Sequence, residues 1–185
     1  MLQLCLIKNS HSQLRAYMRE HYSRPKGFVG RNLCYLIYFG ETCYGAIVAG
    51  SAIMHLKGRD QFFALEKETK KSEIQKYANN TFFHIERVSG RYPCRNFGPR
   101  VLKMFRERIA VDWPAKYGTP LLGFESLVEL PRTGEMYLRD GWQEVGTTKG
   151  QTCKRIAGKG TDKWPGKRVW NTTELRPKRV LCRLP

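Results

Sequence analysis

The sequence predicts one α/β domain, a mixed and mostly antiparallel sheet flanked by helices. Three observations lead there. Residues 81–146 read as strand, basic glycine-containing loop, helix, strand, short helix and strand. LCYLIYF (33–39) and CYGAIVAG (43–50) flank Gly40-Glu41-Thr42 as a β-hairpin. The chain has 185 residues, 41% of them hydrophobic, which suits one core and is short for two.

Leu2–Ile7 is a short apolar run and the expected first strand. Asn9 and Ser10 can cap a helix running to His21 and Tyr22, with Leu14, Tyr17 and Met18 on one face. Ser23-Arg24-Pro25-Lys26-Gly27 breaks it. After the hairpin, residues 57–78 carry three Glu, one Asp and six Lys or Arg. That density predicts a surface helix or loop inserted between core elements. TFFHIERVSG (81–90) is the next strand, RYPCRNFGPR (91–100) the loop, and VLKMFRERIAVDW (101–113) the helix. Val101, Phe105 and Ile109, with Leu102 beside them, give that helix one apolar face. PLLGFESL (120–127) is its partner strand, and GEMYLRDGWQEVG (134–146) a short helix and strand.

The tail differs. Residues 149–185 hold eleven Lys or Arg and two acids, a charge of +9 out of +17 for the chain. Trp164 and Trp170 lie among them. Cations interleaved with aromatics suit phosphate tracking and base stacking, although a solubilising tail has the same composition. The expected organisation is a core domain over 1–148 and a basic extension over 149–185. Val180, Leu181 and Leu184 suggest that its end docks as an edge strand.

The net charge argues for a polyanionic partner, nucleic acid first and an anionic membrane surface second. The longest apolar run, Leu33 to Phe39, is of strand length and cannot cross a bilayer. The start, MLQLCLIKNS, is too short for a secretory signal. Six cysteines without a CxxC pair read as reduced core thiols of a cytosolic protein.

Arg95-Asn96-Phe97-Gly98-Pro99-Arg100 lies between a strand and a helix start, where main-chain N–H groups and the helix dipole favour phosphate. It is similar to the Gln/Arg-x-x-Gly-x-Gly/Ala loop of the acetyltransferase superfamily. Gly98 matches the middle glycine and Arg95 the first position, while Arg100 departs from the last. The order of elements then implies an acyl-CoA-type transferase. Arg95, Asn96, Gly98, Arg100 and Val88 are the expected contacts for acetyl-CoA or a related acyl-CoA donor. An ordinary strand-to-helix loop is the plain alternative. Arg91, Arg95, Arg100, Lys103, Arg106 and Arg108 fall within eighteen residues, more cation than helix solubility requires.

Alternation places His84 and Glu86 on one strand face and Phe83 and Arg87 on the other. Glu125, in the neighbouring strand, is a candidate general base, and Tyr22 a candidate proton donor. His21 and His84 are the only suggestion of a metal site, and no ligand spacing supports it.

His21-Tyr22-Ser23, NNTFFHIERVSGR (79–91), LLGFES (121–126) and GEMYLRDGWQEVGTTKG (134–150) together resemble the phage Mom proteins, over roughly residues 20–150. The resemblance implies an acetyltransferase-like fold. It also implies carbamoylmethylation of the exocyclic amine of adenine in double-stranded DNA, as protection from restriction, in the cytoplasm of a phage's or prophage's bacterial host. Carried over by position, Tyr22, Arg87, Glu125 and Tyr137 are then the catalytic residues. Arg24, Lys26, Arg31, Lys163, Lys167 and Arg168 are the expected DNA contacts. Two alternatives stay open. One is an acyltransferase acting on RNA, protein or a polyamine. The other is a non-catalytic basic DNA-binding protein.

Overall fold

The computed structural model describes residues 1–21, 28, 30–156, 167–171 and 175–185, with backbone alone for 152–156 and 167–171. In chain order the elements are β1 (Leu2–Ile7), α1 (Ser12–His21), β2 (Asn32–Phe39), β3 (Thr42–Ser51), α2 (Lys57–Phe62), α3 (Lys70–Glu73), β4 (Tyr77–Ile85), α4 (Phe97–Tyr117) and β5 (Gly123–Glu129). There follow α5 (Glu135–Arg139), β6 (Gln143–Thr147), β7 (Thr152–Ile156), β8 (Lys167–Asn171) and β9 (Lys178–Arg183). Seven strands form one sheet in the order β1-β2-β3-β4-β5-β9-β6, and β7 and β8 form a second, two-stranded one. Within the large sheet β4 and β5 run parallel and the other pairs antiparallel. A parallel pair needs a long crossover, and α4 supplies it.

β2 reads as an unbroken apolar run because both of its faces are covered. Leu33, Tyr35 and Ile37 pack toward α4, with Phe97, Val101, Phe105, Ile109 and Trp113 spaced four apart along that helix. Cys34 and Leu36 face the other way, with Ala46, Val48 and Phe82 against Leu14 and Met18 of α1. α4 ends at Gly118, whose φ of 62° needs no side chain and whose N–H closes the last turn on Pro114 O at 2.8 Å.

Four expectations change. α4 begins at Phe97 rather than Val101, so Gly98 and Pro99 lie in its first turn, where a missing N–H costs no helix bond. β4 starts four residues early, at Tyr77, and stops at Ile85. The charged 57–78 insert is not merely surface, because Arg59 of α2 is fully buried. The chain's end is no edge strand: β9 lies between β5 and β6, with Val180, Leu181 and Cys182 all buried. Three consecutive buried residues need cover on both faces, which an interior strand has. Burial pushes the Cys34 thiol up to about 11 and the Cys182 thiol up to about 12. No helix among the described residues is long and apolar enough to cross a membrane.

Candidate functional site

The parallel ladder between β4 and β5 is short. It runs from Tyr77 opposite Gly123 to Asn80 opposite Ser126 and then stops. A bulge sits at the same place: Ala49 pairs with Asn80 but Val48 with Phe82, so Thr81 is the extra residue. β4 runs on to Ile85 and β5 to Glu129 without pairing again, so beyond the bulge a wedge opens between the two strands.

Asn80 fixes the bulge. Its Nδ2 donates to the carbonyls of Val48 and Phe82, each at 3.1 Å. Its Oδ1 accepts from the hydroxyl of Tyr137 at 2.6 Å. Tyr137 comes from α5, is 5% exposed, and meets Phe83 and Trp142 edge to face. Ser126 Oγ donates to Asn80 O at 3.3 Å. Burial pushes the Tyr137 phenol up to about 12, with a hydrogen bond from Ser126 pulling the other way. Tyr137 therefore keeps its proton at neutral pH, at the apex of the wedge.

The opposite face of β4 carries a second polar cluster under α1. Tyr17 donates to Glu86 Oε1 at 2.8 Å. His84 stacks on His21 with ring centroids 3.7 Å apart and planes 13° from parallel. His84 Nε2 is buried with no hydrogen-bond partner among the described residues. Burial first, and His21 second, push the His84 imidazole below its ordinary value, so it is neutral at pH 7 and its free nitrogen can take a proton. Face-to-face stacking does not converge the two rings on one ion. Among the described residues no group of three or more His, Cys, Asp or Glu comes together as metal ligands.

The other expected site residues separate. Tyr22, Arg24, Lys26 and Lys163 lie outside the described residues, and for Lys167 and Arg168 only the backbone is described. Arg87 is exposed, with its guanidinium 5.4 Å from the Tyr92 ring centre on the loop after β4. Arg31 donates to Gln75 O and to Thr119 Oγ1 and lies over Tyr117, contacts that tie β2 to the end of α4. Glu125 is wholly buried, held by Arg59 through one oxygen and by the Ile53 N–H at 2.7 Å through the other. Burial pushes its carboxyl up to about 7 against the pull of Arg59. With both oxygens engaged, Glu125 anchors α2 to β5.

The loop after β4 turns tightly at Ser89 and Gly90, both at positive φ, with Val88 bridged to Arg91. Asn96 is left-handed and precedes α4. The Arg100 N–H makes the first helical bond, to Asn96 O, so those of Phe97 and Gly98 have no acceptor within the helix. Arg91, Arg95 and Arg100 are exposed around them. A Cβ on Gly98 would lie 3.3 Å from Met136 Sδ and 3.5 Å from Ile85 Cδ1, so glycine there lets α5 close on α4. Arg106 and Arg108 are taken up by Asp140 and Asp112 and leave the cationic cluster. Free N–H groups, a helix dipole and three exposed arginines fit a diphosphate.

Sequence reasoning missed Asn80, Tyr17, Ser126 and Arg59. Asn80 had a signal, a polar residue where alternation demands core. Arg59 had none.

Comparison with solved structures places this architecture. A Bacillus subtilis acetyltransferase in complex with CoA aligns over 100% of this chain and 99% of its own, with a TM-score of 0.53 at 11% identity. The Drosophila melanogaster polyamine N-acetyltransferase aligns over 100% of both chains, with a TM-score of 0.53 at 12% identity. RimL, a ribosomal L7/L12 alpha-N-protein acetyltransferase in complex with coenzyme A, aligns over 99% and 93%, with a TM-score of 0.56 at 12% identity. The fold is that of the GNAT acetyltransferases. No curated protein matches the sequence. The family is decided by sequence: the model of Druantia protein DruA matches residues 1–153 and no Mom family does. Short motifs in a shared order carried the Mom resemblance, and in a GNAT fold much of that order follows from topology. The chain thus belongs to the Druantia DruA family and not to the phage Mom proteins.

Proposed function

We propose that the chain transfers an acyl group from an acyl-CoA-type thioester to an amine borne by a nucleic acid. The observation that carries the reading is the wedge, where β4 and β5 part at a bulge and Tyr137 holds a neutral hydroxyl at the apex. A bound acyl-CoA supplies an acyl group activated as a thioester. The first turn of α4, with Arg95 and Arg100, would hold its diphosphate. Tyr137, positioned by its hydrogen bond to Asn80 Oδ1, would give its proton to the leaving sulfur and regain one from solvent once the thiol has left. His84, neutral and with Nε2 free, is the base for the acceptor amine on the α1 face. Phe83 and Trp142, packed edge to face on Tyr137, keep bulk water from the apex.

The charge of +17 selects among acceptors. A polyamine would be repelled, whereas a nucleic acid is attracted. Carbamoylmethylation of adenine rested on the Mom resemblance and has no support from the DruA match. A nucleobase amine is still the acceptor the charge favours, and it must leave the base stack to reach the wedge. In an anti-phage defence family, such a transfer would mark nucleic acid. The test is incubation with radiolabelled acetyl-CoA and, separately, DNA, RNA, protein extract and spermidine. Label in nucleic acid, lost in Tyr137→Phe, is expected. Label in spermidine or protein alone would overturn the acceptor, and label in none would overturn acyl transfer.

A further inference from the structure

We propose that β1 pairs with the β1 of a second copy, joining two large sheets edge to edge about a two-fold axis at Leu4. The proposal goes beyond acyl transfer and does not depend on it.

β1 ends the large sheet and pairs on one side with β2, in unbroken register from Leu2 opposite Phe39 to Ile7 opposite Cys34. The Gly40 N–H donates to Met1 O at 3.0 Å, so Met1 and Gly40 are a hydrogen-bonded pair. Such pairs alternate along an antiparallel ladder, which makes Gln3, Cys5 and Ile7 the next ones. The N–H and C=O groups of Leu2, Leu4 and Leu6 then point away from β2, with no strand beside them among the described residues. Open edges are ordinarily guarded by a charge, a proline, a bulge or a covering element. Residues 1–7 hold no charged side chain and no proline. At the sheet's other end α2 lies against β6, with Gly58 so close to Val145 O that a Cβ would not fit.

A groove lies beside the open edge. Leu2 and Leu4 pack toward α4, and alternation puts Leu6, 52% exposed, on the same face. On one flank of α4, Arg106 reaches Asp140 at the end of α5. Met104, Arg108 and Val111 fall on the opposite flank of the helix, toward the β1 end of the sheet. Tyr35 of β2 donates to Asp112 there at 2.8 Å. Met104, Glu107, Arg108, Val111 and Asp112 line a groove of about 360 Å³, with Val111 67% exposed.

Charge and symmetry select the occupant. The chain carries +17, yet this strand has no cation and the groove sets Glu107 and Asp112 against Arg108. Nucleic acid finds little attraction here, and a second copy meets little repulsion. A groove with both signs is complementary to itself under a two-fold axis, as an isologous contact requires. The ladder matches itself as well. With Leu4 opposite Leu4 of the second copy, Leu2 falls opposite Leu6, and each pair exchanges both main-chain bonds. Leu6 is covered by that pairing. Gln3 falls opposite Cys5 of the second copy, both exposed, in a pair whose side chains approach closely.

Sedimentation equilibrium of the full chain, without nucleic acid, tests this. A dimer is expected, and it should tighten as salt rises, because screening weakens the repulsion between two chains of +17. Leu6→Lys enters the contact twice and should raise the dissociation constant roughly tenfold or more. Its melting temperature, measured on dilute protein, should stay near that of the native chain, since Leu6 is half exposed. Gln3→Cys under mild oxidation should give a covalent dimer, with peptide mapping placing the disulfide between position 3 and Cys5 of the second copy. A monomer at about 0.1 mM protein in high salt would overturn the proposal. So would a dimer indifferent to Leu6→Lys, or no disulfide between those two positions.

Discussion

Arg59→Met makes a sharp perturbation, because the pair it breaks is entirely buried. Both side chains of the Arg59–Glu125 pair have no exposed area. In the native protein burial lifts the Glu125 carboxyl from its ordinary 4.5 to about 7, and Arg59 keeps it from going higher. A raised carboxyl favours folding in its protonated form. That contribution is fully present below about pH 4.5 and is lost as the pH rises through about 7. Above that the native protein loses nothing more from this group. Without Arg59 the carboxyl moves further up, leaving the Ile53 N–H as its main support against burial and Asp60. The variant then keeps losing about 1.4 kcal/mol per pH unit above 7. For a chain of this size that is about 3–6 °C in melting temperature per unit. Breaking the buried pair costs about 3 kcal/mol besides, or about 6–12 °C at pH 7. Thermal melts of both proteins by circular dichroism at pH 7, 8 and 9 measure the difference. A melting-point gap that stays constant across those three pH values would refute the reasoning, and would mean that Glu125 is not held in a dry site.

Other outcomes follow from the wedge. Tyr137→Phe should lower thiol release from acetyl-CoA about a hundredfold or more. It should also lower stability by about 1–3 kcal/mol in urea melts, because Asn80 Oδ1 loses its buried donor. His84→Gln should remove an acidic limb from the pH profile of kcat/KM. That limb lies below pH 6.5, since burial lowers the imidazole and the neutral form is the base. An unchanged profile would place the base elsewhere. Gly98→Val should weaken coenzyme A binding, measured by calorimetry, while nucleic-acid affinity holds. The branched carbon would press Met136 and Ile85 apart beside the α4 turn.

The sequence by itself determined the fold class, the hairpin and the α4 face, because each is written in local periodicity or turn chemistry. It also determined the large excess of cations, since net charge needs no structure. Only the tertiary structure decided which residues meet. Phenol and amide at the wedge lie 57 residues apart, Tyr17 and Glu86 69 apart, and Arg59 and Glu125 66 apart. Such pairings depend on sheet order and register, which no local pattern encodes. For the same reason β9 looked like an edge and proved interior, and nothing local showed that Glu125 would be held by Arg59 and the Ile53 N–H.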